Sequence, residues 1–296
     1  MRKVRWEEMF PDEMLAAIRE CPVCYMAYGL AEPHGAYNAI GLDWLKAYAL
    51  CEQAARTHGG IVAPPFAWHV SENPNFEWCR AQGVQQPLCS SIPADLFLRT
   101  VLHQIRAMDA RGFHAAILVT GHYGGLESDI RLLCEFYTRR TESPMRLCAL
   151  ADWELIRHEN YRGDHAGVCE TSQLMALRPE LVDLSRREDA SKSGPWIGTA
   201  FPDGAGRVPS REIGEAIVQS QLDRLGEIQR DLLGAYVPRT SGQPPTMSDV
   251  DDIWGRFERL TRKYWWFSLT LEQHRNRQFT PFPGWAALGE KGVGSL

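Results

Sequence analysis

The chain has 296 residues, of which 44% are hydrophobic and 23% charged, and this ordinary globular composition excludes a disordered, collagen-like or fibrous protein. Its 32 Lys and Arg residues against 37 Asp and Glu residues give a formal net charge of -5. This is the wrong sign for a protein whose affinity comes from neutralising phosphates, so we expect no nucleic-acid partner. The length fits either two domains or one, and we favour one domain with a terminal elaboration.

The N-terminal segment carries basic residues but lacks the apolar centre of a signal peptide. No stretch approaches the ~20 apolar residues that a membrane span needs, so we expect no membrane partner and a cytoplasmic location. The cysteines are dispersed through a chain too long to need disulfides, which favours reduced thiols. The spacing of Cys21 and Cys24 is that of redox sites, but a strand pattern follows Cys21, which favours packed thiols.

Short apolar runs alternate with longer helical patterns along the chain, which predicts βαβ units and a mostly parallel sheet. We predict strands, in chain order, at 23–30, 61–63, 115–120 and 145–150. The first helix begins at Asp43, which can cap it, and ends at Gly59. The second helix has Pro93 at its first position and stops at Gly112. Further helices are predicted at 126–139, 171–177, 211–233 and 250–272.

The C-terminal part of the chain differs from this alternating region. Residues 193–209 are rich in Gly and Pro and are predicted to form a loop, and residues 240–246 are predicted to form a linker. We assign residues 1–239 to the α/β domain and residues 240–296 to a C-terminal helical extension and tail. We expect the extension to pack on the domain or on a neighbour in an oligomer.

Polar residues follow the predicted strands at three places, and ligands of open α/β sheets bind outside the carboxyl ends of strands. Glu32-Pro33-His34-Gly35 follows the first strand, with Asp43 nine residues after the histidine. His122 follows the third strand between glycines, and the third place is the run DHAGVCETS at 164–172. Carboxylates and imidazoles together suit Zn, Mn or Fe, and a carboxylate shared by two ions is common in two-metal hydrolytic sites.

Backbone geometry bears on the role of each of these motifs. Asp43 could lie between two ions, but an aspartate at a helix N-terminus is a common cap. Glu32 and His34 would face opposite ways in an extended segment, so the loop must turn, or each residue serves a different ion. The glycines around His122 let the backbone approach a ligand, although GHYGG lacks the spacing of a dinucleotide fingerprint.

Taken together, the three motifs resemble the creatininase (creatinine amidohydrolase) family in their order and intervals, across about 23–233. The matching residues are Glu32-x-His34-Gly35 with Asp43, then Gly121-His122, then His165-Ala166-Gly167-x-x-Glu170-Thr171-Ser172. The resemblance implies a three-layer α/β/α sandwich with a mostly parallel sheet. It also implies a homo-oligomer, either a hexamer or a dimer.

The resemblance further implies two divalent metal ions, Zn, Mn or Fe, that activate water to cleave a C–N bond of a small cyclic amide or a related amide. By position, Glu32 and His122 would hold one ion and His34 the other, with Asp43 bridging the two. Creatininase proper has a glutamate two residues after the strand-end histidine, where this chain has Gly124. Glu170 is therefore our candidate to complete the second site.

The leaving nitrogen of an amide needs a proton. His165 is our candidate shuttle, because histidine changes charge near neutral pH, and Asp164 could orient it. We count Glu170 with these catalytic candidates. The candidates for substrate binding are Tyr123, Gly124, Gly125, Trp153 and Trp196. The rings of Tyr123, Trp153 and Trp196 could stack on a planar substrate, although packing in the core or at an interface is favoured for each tryptophan.

Three other functions remain open. Another hydrolase of the same family, such as a lactone hydrolase, a deformylase or a peptide-trimming enzyme, would differ only in its substrate. A mononuclear iron oxygenase would use two histidines and one carboxylate and would depend on O2. A non-catalytic metal-binding protein would bind metal tightly without turnover.

Overall fold

The computed structural model describes residues 2–70, 88–123, 126–157, 163–187, 201–239 and 243–264. Of the sequence predictions, Gly124, Gly125, Trp196, the start of the 240–246 linker and the C-terminal tail lie outside these ranges.

The centre of the described part is a four-stranded parallel sheet with the strand order β2-β1-β3-β4. Its strands are β1 (Val23–Tyr28), β2 (Ile61–Val62), β3 (Ala115–Thr120) and β4 (Arg146–Ala151). In register, Tyr28 pairs with Thr120, and Thr120 pairs with Ala151. The last residues of three strands therefore lie side by side, and the segments that follow them meet at one edge of the sheet.

All six residues of β1 and of β3 are buried, because helices cover both faces of the sheet. Alternate residues of β1 point into different cores: Cys24 and Met26 into one, Val23 and Tyr25 into the other. Two apolar layers, one on each face of a parallel sheet, give the three-layer α/β/α sandwich that was predicted.

Seven α-helices surround the sheet within the described ranges. They are α1 (Pro11–Glu20), α2 (Leu42–His58), α3 (Ala94–Ala110), α4 (Leu126–Thr141), α5 (Val168–Leu177), α6 (Arg211–Gly234) and α7 (Met247–Tyr264). Helices α2 and α6 contribute to the core on one face, and α3, α4 and α7 to the core on the other. In the extension, α7 buries Val250, Ile253 and Phe257 in that second core. No helix in these ranges is long and apolar enough to cross a membrane.

Four predicted helix starts are wrong: α5 and α7 each begin three residues earlier than predicted, and α2 and α3 do not begin where Asp43 and Pro93 indicated. Asp43 does not cap α2, because the helix begins at Leu42 with Gly41 at the N-cap and no side-chain cap bond. Asp43 lies instead in the first turn, 1% exposed, with its carboxylate turned inward. Pro93 is the N-cap of α3 rather than its first residue, since its backbone is extended and its carbonyl accepts the Phe97 N–H at 3.0 Å.

The two cysteines with redox-like spacing are thiols that do not form a disulfide. Cys24 lies within β1, and Cys21 contacts Gln229 of α6. Burial raises the pKa of both thiols, which is the opposite of what a reactive cysteine needs. The interpretation as packed thiols therefore fits the structure.

Candidate metal centre

The polar residues that follow β1 and β3 converge on the buried start of α2. Glu32 and His34 lie in the loop after β1, and His122 is the second residue after the end of β3. Asp43 comes from the first turn of α2, and Glu170 from the first turn of α5. Five of the residues predicted to hold metal are therefore brought together at the carboxyl edge of the sheet.

The first possible metal-binding group is formed by Glu32, Asp43 and His122. His122 Nδ1 lies 3.1 Å from Glu32 Oε1 and 3.0 Å from Asp43 Oδ2. The two carboxylates are 5% and 2% exposed in their side chains and the imidazole is 13% exposed, so this group has a small opening toward solvent.

The second group is formed by His34, Asp43 and Glu170. His34 Nε2 lies 2.9 Å from Asp43 Oδ1 and 3.7 Å from Glu170 Oε2. Asp43 thus turns one oxygen toward each group, Oδ2 toward His122 and Oδ1 toward His34. Such a shared carboxylate is common in two-metal hydrolytic sites.

His34 shows that this second group suits a cation. Its Nδ1 lies 2.8 Å from the carbonyl oxygen of Glu32, which orients the ring. Its Nε2 is buried and has no hydrogen bond among the described residues, although it lies 2.9 Å from Asp43 Oδ1. A buried imidazole nitrogen that faces carboxylates without a proper hydrogen bond is the arrangement expected of a metal ligand.

The electrostatics of the centre lead to the same conclusion. Burial alone would lower the pKa of His34, but the Asp43 carboxylate raises it to about 9. Glu32 and Asp43 likewise outweigh burial and raise the pKa of His122 well above its ordinary value. These pairings lower the pKa of Glu32 and Asp43 despite their burial. The carboxylates therefore attract positive charge into the centre, which protons supply when no metal is bound.

A buried lysine that was not predicted adjoins the second group. Lys46, on α2, has no exposed surface. Its ammonium lies 2.5 Å from Glu170 Oε1, 2.6 Å from the Tyr123 hydroxyl and 3.3 Å from Asp152 Oδ2. Burial would lower the pKa of Lys46, but the carboxylates of Asp152 and Glu170 raise it, so the ammonium stays charged.

Asp152, which directly follows β4, was also not predicted. Its Oδ2 accepts a hydrogen bond from the Gln173 amide at 3.1 Å, and its carbonyl accepts one from the Gln221 amide at 3.0 Å. Burial raises the pKa of Asp152, although Lys46 acts in the opposite direction. Its position at the carboxyl end of a strand is the signal that would have drawn attention to it.

His165, the predicted proton shuttle, lies beside His34. The ring centroids are 4.3 Å apart, and His165 Nε2 is 3.0 Å from the carbonyl oxygen of Pro33. Glu32, His34 and His165 also form a third group whose possible ligand atoms lie within 4.8 Å of one another. His165 is therefore close enough either to move a proton at the centre or to bind a metal ion.

Asp164, predicted to orient His165, binds the start of α5. Its Oδ2 accepts the Cys169 N–H at 2.8 Å, and its Oδ1 accepts the Glu170 N–H at 3.0 Å. These bonds satisfy two amides that the helix itself leaves without partners. Asp164 thereby fixes the turn that carries Glu170.

His69, to which the sequence assigns no specific role, packs against His122 of the first group. It is fully buried, its ring centroid lies 5.0 Å from that of His122, and its Nε2 is 3.2 Å from the Thr120 hydroxyl. That hydroxyl donates to the His122 carbonyl oxygen at 3.0 Å. Burial lowers the pKa of His69 to about 3, so the ring is neutral and packs against His122 without adding charge.

Two of the predicted substrate-binding residues are described. Tyr123 is half-buried, and its hydroxyl is bound by Lys46. Trp153 lies on the short 3-10 turn Asp152–Leu155 after β4 and is 37% exposed, so its ring is open to solvent.

Comparison with known proteins agrees with this fold. The family model for creatininase, described as creatinine amidohydrolase, matches residues 7–228. A creatinine amidohydrolase of Pseudomonas putida is 24% identical over 255 residues, which is 77% of this chain and 95% of that protein. Among solved structures, a mutant creatininase of Zn-Zn type gives a TM-score of 0.61 at 24% identity, covering 78% of this chain and 98% of that one. A structure described as creatininase Mn gives 0.59 at 24% identity, covering 77% and 98%.

The sheet and the residues gathered at its edge define an α/β enzyme with a candidate site for divalent metal. The family model spans most of the sequence, so the chain belongs to the creatininase family. It is accordingly a hydrolase of amide C–N bonds, and the resemblance seen in its motifs is confirmed.

Proposed function

We propose that this chain holds two divalent ions, Zn, Mn or Fe, bridged by Asp43, and hydrolyses a small cyclic amide or a related amide. The proposal rests on the position of the Asp43 carboxylate between the two groups. Its Oδ2 lies 3.0 Å from His122 Nδ1, and its Oδ1 lies 2.9 Å from His34 Nε2. Glu32 would complete the first site and Glu170 the second. A cytoplasmic location and a homo-oligomeric state belong to the same proposal.

The chain's own residues have distinct tasks in this reaction. When bound, the ions supply an acidified water and a Lewis acid for the amide carbonyl. His165 gives a proton to the leaving nitrogen, since it lies against His34 and outside the two groups that share Asp43. Asp164 holds the first turn of α5 and so keeps Glu170 facing His34.

One observation favours a second candidate function. Glu32, His34 and His165 offer two imidazoles and one carboxylate within 4.8 Å, the ligand set of mononuclear iron oxygenases. That function requires one ion and consumes O2, whereas a hydrolase needs only water. A lactone hydrolase or a deformylase would use the same two-metal chemistry, so only the substrate separates it from an amidase.

Metal stoichiometry of the purified wild type and of Asp43→Asn, measured by mass spectrometry, tests the proposal. We expect about two ions per chain in the wild type and a sharp fall in the variant, because both groups lose a shared ligand. The matched control is Asp109→Asn, since Asp109 is a buried aspartate that binds Tyr137 away from the centre. One ion in both wild type and Asp43→Asn would overturn the bridged site.

Substrate assays then separate the remaining candidates. The wild type, loaded with Zn or Mn, is assayed with cyclic amides, formamides and lactones, with and without O2. Hydrolysis of a cyclic amide in the absence of O2 supports the proposal. Turnover that stops without O2 supports the oxygenase, and metal binding without turnover on any of these compounds supports a binding protein.

A further inference from the structure

The buried Lys46 shares one face of α2 with Asp43. The two residues are three positions apart in the sequence, and such residues are neighbours on a helix surface. Both are almost fully buried, at 0% and 1% exposure. A lysine is rarely buried unless its charge is paired, so the role of Lys46 must come from its partners.

The ammonium of Lys46 has three polar partners, of which two accept hydrogen bonds and the third forms an ion pair. They are Glu170 Oε1 at 2.5 Å, the Tyr123 hydroxyl at 2.6 Å and Asp152 Oδ2 at 3.3 Å. Tyr123 follows β3, Asp152 follows β4 and Glu170 lies in the first turn of α5. Lys46 itself belongs to α2. The lysine thus joins four segments of the chain behind the second metal-binding group.

The bond to Lys46 decides how Glu170 faces the centre. One carboxylate oxygen, Oε1, is occupied by the ammonium. The other, Oε2, accepts the Ala166 N–H at 2.9 Å and lies 3.7 Å from His34 Nε2. Each carboxylate oxygen can accept two bonds, so each retains one acceptor position, and Oε2 is the oxygen that lies nearest to His34 Nε2.

We propose that Lys46 is a positioning residue that turns Glu170 so that a single oxygen, Oε2, binds the second ion. This inference rests on the proposed two-metal function. The inference gives Lys46, on α2, the task of orienting Glu170, a proposed ligand on α5. The resemblance to the creatininase family provides only the candidate carboxylate.

Charge repulsion and the proposed orienting role predict opposite changes in metal affinity when Lys46 is removed, which makes the inference testable. A fixed positive charge beside a cation site repels the cation, so removing it should strengthen metal binding if charge alone mattered. If Lys46 acts by orienting Glu170, its removal should weaken the second ion instead. The direction of the change in affinity therefore separates the two effects.

The experiment is a Zn²⁺ titration of the metal-stripped full chain by calorimetry, comparing wild type, Lys46→Met, Glu170→Gln and the double variant. We expect two binding steps in the wild type, and in Lys46→Met a second step weakened roughly 10- to 100-fold, as for other residues that orient metal ligands. The first step should stay within about threefold, whereas general damage to the fold would weaken both. The double variant should bind the second Zn²⁺ no more weakly than Glu170→Gln does, since Lys46 acts through the Glu170 carboxylate.

The control is Lys3→Met, because Lys3 is an exposed lysine that also pairs with a glutamate, Glu13. If Lys46→Met does not fold, Lys46→Gln keeps an N–H donor without the charge and should weaken the second step less severely. A second step that is unchanged or stronger in the Lys46 variant overturns the inference. A single step in the wild type, unaffected by Glu170→Gln, overturns the two-metal proposal itself, so the two failures are distinguishable.

Discussion

A Cβ atom on Gly121 would lie 2.1 Å from the carbonyl oxygen of Asp43. No side chain tolerates such a contact, so only glycine lets the end of β3 approach the first turn of α2 this closely. Because His122 follows Gly121 directly, this approach also brings its imidazole within 3.0 Å of the Asp43 carboxylate. Gly121 is therefore required both for the close packing of α2 against the end of β3 and for the approach of His122 to Asp43 in the candidate metal centre.

Gly121→Ala should damage both the fold and the centre. Forcing a methyl group against backbone shifts α2 away from β3, and we expect the free energy of unfolding to fall by about 1–3 kcal/mol. Thermal unfolding and metal content measure the two effects. Gly234→Ala is the matched control, because an added Cβ there meets nothing within 4 Å. Equal metal content and stability in Gly121→Ala and wild type would contradict the close contact.

His165→Ala tests the proton shuttle. The residue lies beside His34 but outside the two groups that share Asp43, so we expect both ions to stay bound. The turnover number should fall roughly 10²- to 10⁴-fold, the usual contribution of a general acid. Loss of metal in this variant would instead identify His165 as a ligand. His103→Ala is the control, because His103 is half-exposed and faces Asp251 on α7.

Metal binding should release protons from the centre. In the metal-free protein the Asp43 carboxylate raises the pKa of His34 from about 6.5 to about 9, so between these pH values the folded chain keeps a proton that the unfolded chain loses. The stabilising contribution of this group is therefore complete below about pH 6.5 and is lost as the pH rises through about 9. An ion needs the neutral imidazole, so its apparent affinity should increase up to about pH 9.

Calorimetry in buffers of different ionisation enthalpy counts these protons. We expect at least one proton released per chain near pH 7 and fewer above pH ~9, because His34 is then already neutral. Zn²⁺ binding near pH 7 without proton release would show that the histidines are not the ligands.

Asp164→Ala tests whether Asp164 supports the helix or the reaction. It removes the acceptors of the Cys169 and Glu170 amides, and the loss of such a cap costs about 0.5–2 kcal/mol of stability. We expect the denaturation midpoint to decrease while the pH dependence of kcat keeps its shape. A changed pH profile with unchanged stability would assign Asp164 to the orientation of His165.

The sequence predicted those residues whose positions follow from the topology of a parallel sheet. Glu32, His34 and His122 come directly after apolar strands, and a parallel sheet must bring such segments to one edge. Asp43 was predicted both as a ligand and as a helix cap. Local pattern could not decide between these roles, because the N-cap of the helix lies two residues before Asp43, at Gly41.

Lys46 could not be predicted by the same reasoning. A lysine within a helix is typical of a solvent-facing surface, and the apolar residues that flank Lys46 in the sequence offer no partner for its charge. Its partners Tyr123, Asp152 and Glu170 lie 77 to 124 positions away, so only the folded chain reveals the pairing. The contact of His69 with His122 could not be predicted either, because it depends on the fold and not on a local pattern.

The shared position of Asp43 has a consequence for how the protein is assembled. Its partners His34, His122 and Glu170 belong to segments that meet only when the sheet and both flanking helices are in place. No short stretch of the chain contains a complete site, so an ion cannot nucleate folding locally, as it does in a zinc finger. Metal instead binds the finished fold and stabilises it by mass action. The apoprotein should therefore remain folded after chelation, and occupancy of the centre should report that the chain has reached its native state.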